Sequence, residues 1–227
     1  MIPDRFTPRM LVFDCDGVIL DSARLKRAAF AALYDDQAAP VRQAVAAYLG
    51  RRGGQPREVK FRHIEGQILG RPPSQARIAE LCQRFRQRMQ RLMAEAPMIA
   101  GAQEALERWK GTCPLVLLSA TPQQELADCV TERGLSRYFD DVIGAPPDKV
   151  TALGNLLARQ RRGGDTEELA RRTVMVGDSY NDYRAARSNG TAFVGVGSPG
   201  EASPFSIDTT IIEDLHGLDQ ALAGLTL

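Results

Sequence analysis

The 227-residue chain sets 29 Lys and Arg against 28 Asp and Glu, a net charge of +1, with 44% hydrophobic and 25% charged residues. That balance predicts no nucleic-acid partner, and apolar runs no longer than a strand predict no membrane span. The N-terminus lacks a signal-peptide pattern, and Cys15, Cys82, Cys113 and Cys129 are scattered without a C-x-x-C pair. Free thiols and a cytoplasmic location are therefore expected.

The first predicted element is a buried strand over 11–14, where an apolar run delivers Asp14-Cys15-Asp16-Gly17 into a turn. A strand interior avoids carboxylates, because a buried one must be paired, bind metal or take up a proton. Alternation along an extended backbone sends Asp14 and Asp16 the same way, so both serve one small site. Ser22 then opens a helix with Leu25, Ala28, Ala29, Phe30 and Leu33 on one face. Further helices are expected over 41–49, 58–69 and 74–95, the last N-capped by Ser74 after Pro72-Pro73. Residues 22–96 show no strand pattern and read as an all-helical cap, inserted into a core made of 1–21 and 97–227. That insert carries 15 Lys and Arg against 6 Asp and Glu, net +9, and the remainder 14 against 22, net −8. A basic segment and an acidic one suit an anionic ligand held partly by a cation.

Beyond Pro97 strand and helix alternate. Helices are predicted over 102–109, 122–133 with Gly134 as its stop, 148–159, 181–188 and 215–222, and strands over 114–118, 141–143, 173–176 and 192–194. Short apolar strands between helices predict an α/β fold, a Rossmann-like parallel sheet with both faces covered and right-handed crossovers. Gly163-Gly164-Asp165 reads as a surface loop.

Polar residues follow three more strand ends: Ser119-Ala120-Thr121, Lys149 at a helix start, and Gly177-Asp178-Ser179-Tyr180-Asn181-Asp182. Ligands of an open parallel sheet gather at the carboxyl ends of its strands, so four carboxylates, a hydroxyl and a lysine converge there. Four carboxylates repel one another unless a hard divalent cation sits among them, and Mg²⁺ suits an all-oxygen set. Residue by residue, other uses exist: Ser119 as an N-cap, Asp182 as a carboxylate favouring a helix N-terminus, Lys149 as a solvated helix-start lysine.

These motifs, in this order and with the insertion just after Asp21-Ser22, resemble the haloacid dehalogenase superfamily in its phosphatase branch with a helical cap, the phosphoglycolate phosphatase and β-phosphoglucomutase type. The resemblance covers the core and reaches the cap only loosely. It implies that Asp14 is the nucleophile forming an aspartyl-phosphate, and that Asp16 is the acid and then the base. It implies Mg²⁺ held by the Asp14 side chain, the Asp16 carbonyl and Asp178, with Asp182 in or beside the metal set. Ser119 and Lys149 would contact the phosphoryl group, Lys149 also holding Asp14, with Gly17 and Ala120 completing the substrate contacts. The activity implied is Mg²⁺-dependent hydrolysis of a small phosphorylated metabolite such as a sugar phosphate or phosphoglycolate. A phosphomutase is the alternative. A dehalogenase is disfavoured because that branch lacks an acid at the position of Asp16, and a non-catalytic binding protein because no motif carboxylate is missing.

Gly195-x-Gly197-x-x-Gly200 matches a dinucleotide fingerprint but contains Pro199 and opens no predicted helix, so it reads as a loop. His63 and His216 are too few for a zinc set. Cys15 is assigned to strand packing, since neighbouring carboxylates disfavour a thiolate. Substrate choice is assigned to the cap stretch 50–61, where Arg57 and Lys60 lie one helical turn apart. The cap is expected to hinge near Asp21 and Pro97, closing to exclude water. A monomer or homodimer is expected.

Overall fold

Six strands, parallel throughout, form one sheet in the order β3-β2-β1-β4-β5-β6. They are β1 (Met10–Phe13), β2 (Leu115–Pro122), β3 (Asp141–Ala145), β4 (Thr173–Gly177), β5 (Ala192–Val196) and β6 (Thr210–Ile212). The computed structural model describes residues 6–51, 55–160, 166–197 and 205–226. Two compact units are present, Met1–Leu20 with Met98–Leu227, and Asp21–Pro97.

In the larger unit every side chain of β1 is buried, because helices cover both faces of the sheet. Met10 and Val12 pack on one face with Val116, Leu153, Leu156 and Met175. Leu11 and Phe13 point to the other face and are equally inaccessible. The covering helices are α5 (Ala102–Trp109), α6 (Gln123–Glu132), α7 (Lys149–Gln160), α8 (Thr166–Arg171), α9 (Tyr180–Ser188) and α10 (Leu218–Ala223). The α/β class and parallel sheet match the sequence expectation. β6 and α8 were not foreseen: β6 is three residues long with two exposed side chains, and α8 is six residues, both too short to show a period. The final helix is split, a 3₁₀ turn at Leu215–Gly217 preceding α10.

Among its described residues the smaller unit's regular elements are all helical, chiefly α1 (Ala23–Ala31), α2 (Ala39–Arg51), α3 (Arg57–His63) and α4 (Gln75–Glu95). Ser74 caps α4 as expected, its hydroxyl accepting from the Arg77 N–H. The helix predicted over 58–69 ends earlier, at His63, and continues as a π-helical turn, Ile64–Ile68. An apolar period does not register that change of hydrogen-bond pattern. The unit's core is aromatic, with the Phe30 ring centroid 5.0 Å from Phe61 and 4.1 Å from Phe85. Among the described residues no helix is long and apolar enough to cross a membrane, and all four cysteines are free. Arg52, Gly53 and Gly54 of the expected contact loop, the Gly163-Gly164-Asp165 stretch, and Gly200 of the glycine pattern lie outside the described residues.

Candidate active site

The sheet order places a topological switch between β1 and β4, where the chain departs in opposite directions, and an open α/β sheet binds ligands at that point. Asp14 leaves β1 there and Asp178 leaves β4, and the Asp14 N–H donates to the Val176 carbonyl at 2.9 Å, stitching the two strand ends together. The turn after Asp14 is closed by the Gly17 N–H donating to the Leu20 carbonyl at 2.7 Å. Gly17 has φ +83°, and a Cβ there would collide with the Asp178 carboxylate. Glycine is thus required twice at one position, for its dihedral and for the close approach.

Oxygens of Asp14, Asp178 and Asp182 all lie within 4.8 Å of one another. Asp14 and Asp182 are buried, Asp178 partly so. Lys149, itself 6% exposed, reaches in from the start of α7. Its Nζ lies 2.8 Å from Asp14 Oδ1 and 2.5 Å from Asp182 Oδ1. The Cys15 N–H also donates to Asp14 Oδ1, at 2.7 Å. Asp182 Oδ2 accepts from the Ser179 N–H at 3.1 Å and the Ser179 hydroxyl at 2.6 Å. Asp182 is therefore engaged at both oxygens: it closes a capping box with Ser179 at the start of α9 and grips Lys149. Asp182 thus stands at a helix terminus and, at the same time, beside Asp14 and Asp178. Ser179 was not singled out from the sequence, although a Ser three residues before an acidic side chain is the capping-box signature.

Electrostatics follow from burial and crowding. Burial pushes the Asp14 carboxyl up to about 7, with Lys149 pulling it down and Asp182 and Asp16 pushing it further up. Asp178 is raised well above the usual carboxylate range by burial and by its neighbours Asp14 and Asp182. For Lys149 burial works to lower the value, but the charges of Asp14 and Asp182 outweigh it and hold the ammonium more firmly than usual. One ammonium is thus set among three clustered carboxylates, an arrangement whose missing charge a divalent cation would supply. The donors are all hard oxygens, and the Gly17 turn leaves no side chain between them, so the residues present fit such an ion.

Ser119 lies in β2, the strand beside β1, and is buried, while Ala120 is partly exposed. The Ser119 hydroxyl oxygen accepts from the Thr121 N–H at 3.1 Å, which leaves its own O–H available as a donor. Ser119 does not cap α6, whose N-cap position is Pro122. Arg57 and Lys60 belong to the other unit. There the Arg57 guanidinium sits 5.2 Å from the Phe85 ring centroid and the Lys60 Nζ 5.0 Å from that of Phe30. Sequence spacing alone gives no sign of that placement of the two cations over aromatic rings.

Comparison with known proteins gives a consistent result. Residues 8–190 match the family described as haloacid dehalogenase-like hydrolases. The "Probable phosphatase IndB" of Dickeya dadantii is 30% identical over 197 residues, covering 82% of this chain and 80% of that protein. The phosphoglycolate phosphatase of Chromobacterium violaceum is 34% identical over 111 residues, 46% of this chain and 48% of that protein. Among solved structures, CbbY from Rhodobacter sphaeroides in complex with phosphate superposes with a TM-score of 0.70 at 16% identity, covering 95% of this chain and 99% of that one. At that identity the likeness shows the fold.

Proposed function

Because the chain belongs to the haloacid dehalogenase-like hydrolases, we propose that it is a Mg²⁺-dependent phosphatase acting on a small phosphorylated metabolite through a phosphorylated Asp14. The observation that carries this reading is the charge imbalance at the switch point: buried Asp14 and Asp182 and partly buried Asp178 within reach of one cation, with Lys149 as the only ammonium described among them. The names of the relatives supply the reaction class, and phosphoglycolate is one substrate they suggest.

In this reading Asp14 and Asp178 hold the metal, together with the Asp16 carbonyl, and Asp182 stands behind them with its oxygens given to Lys149 and Ser179. The ion, when bound, offsets charge on the transferring phosphoryl group and displaces the protons that crowding otherwise favours on the carboxylates. Lys149 and the Cys15 N–H fix Asp14 Oδ1, so Oδ2 is the oxygen that attacks phosphorus and becomes the aspartyl-phosphate. Asp16 delivers a proton to the departing alcohol oxygen, then removes one from the water that cleaves the acyl-phosphate. The Ser119 hydroxyl donates to a phosphoryl oxygen, and Lys149 offsets part of the charge. Gly17 and Ala120 line the same strand ends, and Arg57 and Lys60 of the cap govern substrate affinity.

The test is phosphate release from p-nitrophenyl phosphate and a panel of phosphorylated sugars, phosphoglycolate and nucleotides, with and without Mg²⁺. Metal-dependent release is expected. No release from any member contradicts the reading, and transfer of phosphate between two positions of a sugar without release converts it to a phosphomutase.

A further inference from the structure

β2 and β3 fall out of register where Ser119 lies. Leu118 pairs with Ile143, and the next pairing is Pro122 with Ala145. β2 thus advances four residues while β3 advances two, and Ser119, Ala120 and Thr121 bulge from the ladder. Bulges of this kind re-aim a side chain beside a site. Left alone, however, a bulge is a weak point, because its backbone groups lose their ladder partners.

One side chain closes the far end. Gln123, the first residue of α6, presents its amide edge-on to β3: its Nε2 donates to the Val142 carbonyl at 2.9 Å, and its Oε1 accepts from the Gly144 N–H at 2.6 Å. The amide takes the place of a strand residue, satisfying one donor and one acceptor of β3 that β2 no longer reaches. Gly144 makes the approach possible, since a Cβ there would sit 2.7 Å from both the Gln123 nitrogen and the Thr121 carbonyl oxygen. Its neighbour Gln124 does nothing comparable, its amide bonding to Asp128 one turn along the same helix at 2.8 Å.

We propose that Gln123 is a positioning residue: its amide clip on β3 sets the bulge that aims the Ser119 hydroxyl and the backbone around it at the phosphoryl group. The inference rests on the phosphatase reading above. It does not involve the metal, because none of the clip's bonds touches Asp14, Asp178 or Asp182. Gln123 is exposed, so its replacement removes two hydrogen bonds without opening a cavity.

The test uses the full chain and inorganic phosphate as the probe, measured by calorimetry in saturating Mg²⁺, with Mg²⁺ affinity measured separately. Gln123→Ala is expected to weaken phosphate binding about tenfold, within what one or two neutral hydrogen bonds carry, and to leave Mg²⁺ affinity unchanged. Gln123→Glu keeps the acceptor for Gly144 but sets a carboxylate against the Val142 carbonyl; it is expected to lose phosphate affinity by a similar factor and serves if the alanine variant does not fold. Gln124→Ala should bind phosphate as the wild type does. Wild-type phosphate affinity in both Gln123 variants overturns the proposal, and so does an equal loss of Mg²⁺ and phosphate affinity, the mark of a merely structural role. A wild-type protein that binds no phosphate with Mg²⁺ present overturns the phosphatase reading itself, and the clip's role with it.

Discussion

In the larger unit a single lysine is set against several carboxylates, whereas in the smaller one the buried charges are met locally. Lys149 touches Asp14 and Asp182 while Asp178 is left for another partner. In the smaller unit Lys60 lies over the Phe30 ring, and buried Glu65 lies 3.5 Å from the Arg77 guanidinium. The difference teaches where each unit spends its sequence. The smaller unit disposes its charges so that a core of Phe30, Phe61 and Phe85 can close around them. The larger unit keeps like charges together at a strand end, where Lys149 offsets only part of them.

The comparison breaks first at Asp14. Asp14→Asn should cut phosphate release by at least about 10⁴-fold, as loss of a nucleophile does. It should leave the melting temperature unchanged or raised, because one of the crowded carboxylates is gone. A large loss of stability would mean that Asp14 is a structural charge like those of the smaller unit. Lys149→Met probes the opposite sign. It strands buried Asp14 and Asp182 without their ammonium, so activity should vanish and stability should fall by about 3–5 kcal/mol, read by denaturant unfolding. Phe85→Ala is the counterpart in the smaller unit, with a similar cost of about 3–5 kcal/mol from cavity formation. There, Mg²⁺ affinity should survive in the variant that remains folded.

A milder test uses pH. The Asp14 carboxyl sits at about 7 in the folded chain against 3.8 as an ordinary aspartate, so the native state holds the extra proton. Stability of the metal-free protein should therefore fall as pH rises from about 4 to about 7, and Asp178 adds to it with the same sign. Mg²⁺ competes with those protons, so its stabilising effect on the melting temperature should grow from about pH 5 to about pH 8, on either side of the folded Asp14 value. A Mg²⁺ effect independent of pH would mean that the carboxylates are already ionised. The smallest effect is expected at Arg57→Ala, a rise in KM of several-fold with kcat nearly unchanged. An unchanged KM for the true substrate would contradict a role for Arg57 in substrate affinity.

Much of this contrast was legible in the sequence because the larger unit writes its plan in a short code. Strands buried on both faces appear as unbroken apolar runs, so the polar residues that follow them, Asp14 and Asp178, and Lys149 at a helix start, stand out in the sequence, and the structure brings these three together. What escaped depends on pairing rather than composition. The bulge at Ser119 exists only relative to β3, and Gln123 looks like any polar residue at a helix start until its amide is seen on Val142 and Gly144. The π-helical turn after His63 keeps an apolar pattern close to that of an α-helix, so its onset was invisible. In the smaller unit Arg57 and Lys60 read as an anion grip because sequence spacing does not show the aromatic rings beneath them.

The most direct measurement is a rapid acid quench of the wild-type protein during turnover with Mg²⁺ and an active substrate, followed by mass spectrometry of its peptides. The account predicts one phosphoryl group, on Asp14, absent from Asp14→Asn. Phosphate release with no phosphorylated protein at any time, or with the phosphoryl group on Ser119, would contradict it.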